Sequence, residues 1–224
     1  EWTPNERLIA ERNPLYWDNQ NTVLNKVLYL EIVSDTAAYN RYRAGELHYT
    51  TYPLEQYKQL KSQSPEELVN APMLATYYYV FNTQRKPFDN PKVRKALSLA
   101  IDRDTITEKI LGQGQLSAFS LTPPSVDGFE LKRPASQLLS KEERIKQAKA
   151  LLSEAGYGPG KPLDVAILYN TNESHKKIAL AISSMWKHNL REQAKINNME
   201  WKTMVSALNE GDFGVSRYAW NGDY

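Results

Sequence analysis

The chain has 224 residues, 41% of them hydrophobic and 24% charged, which is enough apolar material to bury a large core. A net charge of +2 with both signs mixed along the chain excludes the concentrated basic face that nucleic-acid binding requires. Without cysteine there is no disulfide and no thiolate metal site, and no apolar run reaches the length of a membrane span.

Strands are expected at Arg7 to Glu11 and at Lys26 to Val33, the second apolar and β-branched. Asp35 is expected to cap a helix ending at Gly45, a short strand to follow from Leu47 to Thr50, and another helix to start at Pro53. Ser62 to Pro72 is polar and aperiodic and is the best candidate boundary. Thr76 to Asn82 is a β-prone strand in which alternation places Tyr77 and Tyr79 on one face and Tyr78 on the other. After Asp89-Asn90-Pro91 a helix buries Val93, Leu97, Ala100 and Ile101, and Asp104 is expected to cap the next one.

Gly112 to Pro134 reads as a long loop. Ser140 with Glu143 three residues on forms a capping box for a helix that ends at Gly156. Asp164 to Tyr169 is expected as a strand, and Asn172 or Ser174 as the start of a helix burying Ile178, Ile182, Met185 and Trp186. Met199 to Met204 and Phe213 to Trp220 read as the last strands, which places Trp201 and Trp220 on or beside strands. Strands alternating with helices after residue 76 make this an α/β protein.

The three histidines, His48, His175 and His188, have no metal-ligand spacing among them, and no P-loop, GxGxxG, GxSxG or HExxH pattern occurs. No cofactor, metal or catalytic residue is therefore expected. The C-terminal half is rich in aromatic and polar residues, which by themselves read first as core or sheet-surface residues and only second as a binding surface.

The stretch PFDNPKVRKALSLAIDRDTI, Pro87 to Ile106, resembles the characteristic segment of the family 5 extracellular solute-binding proteins, the receptors of bacterial ABC importers. ERNPLYWD (Glu11 to Asp18), TYYYVFNTQ (Thr76 to Gln84), LYNTNESHKKIALAISSMWK (Leu168 to Lys187) and RYAWNGDY (Arg217 to Tyr224) extend the resemblance along the whole chain, toward the oligopeptide-binding branch. The resemblance implies a periplasmic-binding-protein-like fold (type II, large cluster C form) with part of lobe I over residues 1–74. Most of lobe II, the family's domain III, would follow over 75–224. Members are longer, so an internal piece of a two-lobed protein is expected. No signal peptide is expected in these residues, and the periplasm is implied by resemblance alone.

The resemblance also implies a function. Short peptides would be captured between two lobes and delivered to the permease subunits of an ABC transporter by a monomeric protein, without chemistry. Alternatives on the same fold are murein tripeptide, a metal chelate or haem; a peptidase is a further, weaker one.

Asp223, in the motif W-x-x-D-Y, matches the acceptor of the peptide's α-amino group; the alternative is an exposed loop aspartate. Arg217 and His175 match partners of the peptide's C-terminal carboxylate. Their alternatives are a surface salt bridge and a capping or solvent-facing histidine. Trp201 and Trp220 match walls of side-chain pockets, and Tyr78 matches a tyrosine near the peptide. The main chain from Trp220 through Asn221 to Asp223 would pair with the peptide as an added strand. Three positions depart from the pattern: Val80 stands for glutamate, Leu111 for lysine and Leu208 for arginine. The murein-tripeptide branch uses an arginine at Leu208, so that leucine argues against an acidic ligand.

Overall fold

The computed structural model describes residues 1–71, 73–130 and 132–222 and divides into two compact units, Glu1–Pro53 and Leu54–Tyr224.

Unit 1 holds a three-stranded antiparallel sheet. β1 (Trp2–Thr3), β2 (Arg7–Glu11) and β3 (Lys26–Leu30) lie in sequence order, with Leu8 opposite Tyr29 and Ala10 opposite Val27. β3 stops three residues short of Val33. Helix α1 (Asp35–Arg43) follows. Its cap is Ser34, whose hydroxyl accepts from the Ala37 N–H, so Asp35 is the first helical residue rather than the cap. An acid there complements the positive end of the helix. Gly45 takes the left-handed conformation expected after the helix, at φ 79°. Leu47 to Thr50 forms no strand.

Unit 2 opens with a turn of 3-10 helix (Leu54–Gln56) and α2 (Tyr57–Gln63). Two contacts tie this segment to the rest of the unit: Lys177 pairs with Glu55, and the Asn70 amide donates to the Gln113 carbonyl at 2.7 Å. The compact units thus part at Pro53, ahead of the sequence boundary near residue 74.

The sheet of unit 2 contains β4 (Ala75–Phe81), β5 (Ala166–Asn170), β6 (Lys195–Met199) and β7 (Val215–Asn221), in the order β4-β7-β5-β6. β7 runs antiparallel to β4 and parallel to β5, and β5 is parallel to β6. One face meets α3 (Pro91–Leu99), α4 (Lys141–Glu154) and α5 (Glu173–Leu190). Val93, Leu97, Ala148, Leu152, Ile178, Ile182 and Trp186 from these helices pack with Ile167, Tyr169 and Val215 of the strands. The other face meets α6 (Trp201–Glu210) through Leu168, Met204 and Ala207. β5 is buried on both faces, and its sequence AILYN is accordingly apolar without alternation.

Asn90 caps α3 with Pro91 in the first turn, and Ser140 and Glu143 make the reciprocal capping box of α4. Two buried side chains of α5 satisfy carbonyls at the end of α3: Trp186 Nε1 donates to Leu97 O at 2.9 Å, and Asn189 Nδ2 to Ala100 O at 3.0 Å. Those carbonyls have no partner within the helix, so the contacts remove a desolvation cost as well as fixing the helix pair.

Two sequence expectations are corrected here. The turn of π-helix at Thr105–Leu111 is not capped by the Asp104 side chain. Asp102 Oδ1 accepts from the Thr105 N–H at 3.1 Å, while the Asp104 carboxylate accepts from the Ser117 hydroxyl. Met199 to Met204 is not a strand: β6 ends at Met199, and Trp201 opens α6. Trp201, Met204, Val205 and Leu208 recur at helical spacing, and their shared packing face outweighs the local β preference of the run.

Candidate functional site

The site residues expected from the sequence fall on the two faces of the β4–β7 ribbon. Register sets the division. Tyr79 lies opposite Arg217 and Tyr77 opposite Ala219, so these residues share the face covered by α5; Tyr78 lies opposite Tyr218 and Thr76 opposite Trp220, on the face toward α6.

On the α5 face, Arg217 and His175 come together through Tyr77. The Arg217 guanidinium lies over the Tyr77 ring, 4.8 Å from its centre, and Nη1 donates to Asn170 Oδ1 at 2.9 Å. Its Nε is buried and makes no hydrogen bond among the described residues. Among the described residues no ion pair joins Arg217 to a carboxylate.

His175 lies in the first turn of α5, where Asn172 supplies the cap by accepting from the Ser174 and His175 N–H groups. The imidazole is therefore free of capping duty, and its Nδ1 lies 3.5 Å from the Tyr77 hydroxyl. Burial, and then the neighbouring Arg217 charge, push its pKa down to about 4. A neutral imidazole beside a fixed guanidinium offers hydrogen bonding without a second buried charge.

On the α6 face, Trp201 stacks on Tyr218 with ring centres 6.3 Å apart and planes 25° from parallel. Tyr78 packs at the other side of Tyr218, at 6.0 Å. Trp201 and Trp220 remain 48% and 62% exposed, an unusual outlay of large rings on a surface. Trp220 shares the face of Tyr218, two residues along β7. Asn221, opposite Ala75, is exposed at the end of the strand. Asp223 lies outside the described residues.

Tyr77, Asn170 and Tyr218 were not singled out by sequence reasoning, yet they hold Arg217, His175 and Trp201 in place. Alternation places Tyr77 opposite in face to Tyr78, but nothing local signals that His175, 98 residues later, meets its hydroxyl. Leu111 packs against the main core and Leu208 against the cluster under α6, so both departures from the charged pattern are absorbed into apolar packing. Among the described residues no group of histidine, aspartate and glutamate is placed to hold a metal ion, and no helix is long and apolar enough to cross a membrane.

An α/β unit with an exposed aromatic surface on one face of a strand pair and a fixed cation on the other carries groups suited to binding a ligand. Residues 1–224 match the family described as bacterial extracellular solute-binding proteins, family 5 (middle), and the chain belongs to that family. It is 46% identical, over its whole length, to the periplasmic oligopeptide-binding protein of Salmonella typhimurium (strain LT2), covering 41% of that protein. The structure of the Escherichia coli murein tripeptide-binding protein superposes with a TM-score of 0.96 at 47% identity, covering all of this chain and 44% of the other. The crystal structure of the Haemophilus influenzae oligopeptide-binding protein in complex with RPPGFSPFR gives 0.95 at 41% identity, with 100% and 45% covered. These are structures of periplasmic binding proteins, and the present fold is theirs. The chain spans less than half the length of the relatives it matches.

Proposed function

We propose that this chain is part of a receptor that captures short peptides in the periplasm and delivers them to the permease subunits of an ABC importer. The observation that carries the reading is the exposed aromatic surface of Trp201, Tyr218, Tyr78 and Trp220 beside a strand, β7, that among the described residues pairs with β5 only at Val215 and Ser216. Flat rings accommodate many side chains, and the edge of β7 beyond Ser216 can pair with peptide main chain regardless of sequence. The relatives named as oligopeptide-binding proteins, one of them solved with RPPGFSPFR, support the ligand class.

In this reading residues 1–74 belong to lobe I and 75–224 to lobe II, and closure of the lobes buries the ligand without any chemistry on it. Arg217, with His175 beside it, receives the peptide carboxylate. Asp223 receives the α-amino group, because a desolvated ammonium requires an anionic partner. With Leu111 and Leu208 in place of cations, fewer partners compete for the carboxylate, which favours longer or more apolar peptides. The 47% identity to the murein tripeptide-binding protein makes murein tripeptide the second reading, and Leu208 stands against it.

Calorimetric titration of the intact protein with tri- to pentapeptides tests the ligand class, and mass spectrometry of the same mixtures tests for cleavage. Binding with the peptide recovered whole is expected; absence of binding or appearance of fragments overturns the proposal. N-acetylation of the peptide is expected to weaken binding at least about tenfold, ~1.4 kcal/mol, by removing the ammonium. Equal affinity of free and acetylated peptides rules out the role given to Asp223.

A further inference from the structure

A cavity of about 180 Å³ opens where α3 meets the loop after Gly112 and the 3-10 turn Ala135–Gln137. None of its lining residues belongs to the β4–β7 ribbon, and its walls include Lys95, Ser98, Arg103, Phe119, Ser136 and Gln137 but no carboxylate. We propose that this cavity binds a tetrahedral oxyanion of the phosphate class.

Arg103 is the central observation. Its guanidinium is half-buried and donates to the Ser98 carbonyl at 3.3 Å and the Ser98 hydroxyl at 3.0 Å, both neutral acceptors. Among the described residues it makes no ion pair. The neighbouring Asp104 supplies some attraction, but its carboxylate is engaged elsewhere, accepting from Ser117 at 2.5 Å with Arg133 at 3.8 Å. Burial, and then repulsion from Arg144, disfavour the charge on Arg103, and attraction from Asp104 opposes them more weakly. A desolvated cation whose hydrogen-bond acceptors are all neutral is costly, and an anion in the cavity would relieve that cost.

The remaining groups fit a tetrahedral ion better than a planar carboxylate. Lys95 is exposed at the rim on α3, and it too makes no ion pair among the described residues. Phe119 in the wall carries Arg103 over its ring at 5.5 Å, which holds that guanidinium at the site, and Arg133 packs on the same ring at 4.6 Å. Gln137 accepts from Arg144 through its oxygen, leaving its amide N–H groups to face a ligand; the Ser136 hydroxyl joins it from the same turn. Donors thus approach from α3, from Arg103 and from the 3-10 turn, three directions that match more than two oxygens. A fork of arginine donors with a lysine point charge is the usual chemistry for phosphate groups. The volume is several times the ~30 Å³ that a water molecule occupies in the liquid, so one such ion fits.

The test uses the intact protein and two probes. Inorganic phosphate is titrated against chloride at constant ionic strength, and cosedimentation is measured with phosphatidylglycerol vesicles against neutral ones. The first probes a free ion, the second a lipid headgroup. Saturable binding of at least one probe is expected, weakened about tenfold or more by Lys95→Met and by Arg103→Gln, with peptide affinity unchanged in Lys95→Met. Should Arg103→Gln fail to fold by circular dichroism, Lys95→Met decides alone. Binding of neither probe, equal response to chloride, or full retention of binding in Lys95→Met overturns the proposal. Because the readout is anion binding, its failure leaves the peptide reading untouched, and the reverse also holds.

Discussion

His175 and Glu192 are both ionisable groups placed where ionisation is unfavourable. For His175 the folded pKa of about 4 lies below the ordinary value of 6.5, so the unfolded chain takes up the proton first as pH falls. Stability is therefore expected to be independent of this residue above pH 6.5 and to drop between 6.5 and 4. Thermal melts of the intact protein across that window should show a flatter profile for His175→Gln than for the parent. Arg217→Met is expected to raise the imidazole pKa only in part, since burial is the larger cause. Histidine ring NMR reads that shift directly. Glu192 is 2% exposed, and its Oε2 accepts from the Leu163 N–H at 2.7 Å. Burial pushes its pKa up, against the opposing effect of that hydrogen bond. Glu192→Gln keeps an acceptor and removes the charge, so at pH 7 it is expected to melt at or above the parent temperature. Glu192→Ala leaves the Leu163 N–H unpaired and is expected to lose about 1–3 kcal/mol.

Among the elements, α4 shows how far local sequence rules reach. KEERIKQAKALLSE begins with the Ser140–Glu143 capping box, and both of its hydrogen bonds are present. Ser140→Ala is expected to cost about 0.5–2 kcal/mol in denaturant unfolding, because the Glu143 N–H loses its acceptor. α3 and α5 were equally legible: each has a capping asparagine and a buried face at helical spacing. The run from Met199 to Met204 was not, because a strand end and a helix start meet inside six residues and both prefer large apolar side chains. The helical spacing in α6 was available as a signal, and the left-handed Gly211 closes the element as such a glycine should. At Asp104 the sequence offered two acids within three residues. Which one accepts the N–H depends on the position of Ser117, a matter of loop packing rather than of local preference.

At the scale of the molecule, unit 2 carries the main core, whereas unit 1 leaves Leu15, Trp17 and Val23 between 85% and 90% exposed. All three lie in the segment that joins β2 to β3 rather than in the sheet. If lobe closure traps the ligand, residues 1–224 alone are expected to bind peptide at least about tenfold more weakly than the intact protein. Parallel calorimetric titrations measure the difference; equal affinities would refute the two-lobe mechanism.

Much of the element reading was present in the sequence itself, because capping residues, helical spacing and strand alternation are local properties that survive without tertiary context, while the family rested on resemblance of whole stretches. The Pro87 to Ile106 stretch shows this: its capped α3 is the scaffold whose end carbonyls Trp186 and Asn189 satisfy. The tertiary structure alone decided which side chains meet. β4 and β7 are separated by more than a hundred residues, and their antiparallel register puts Arg217 on Tyr77 while sending Trp220 to the opposite face. A shift of one residue would exchange the two faces, and no nearest-neighbour preference fixes that choice. It is fixed by burial of Val215 and Phe81 against the helices, a long-range packing requirement that only the folded chain expresses.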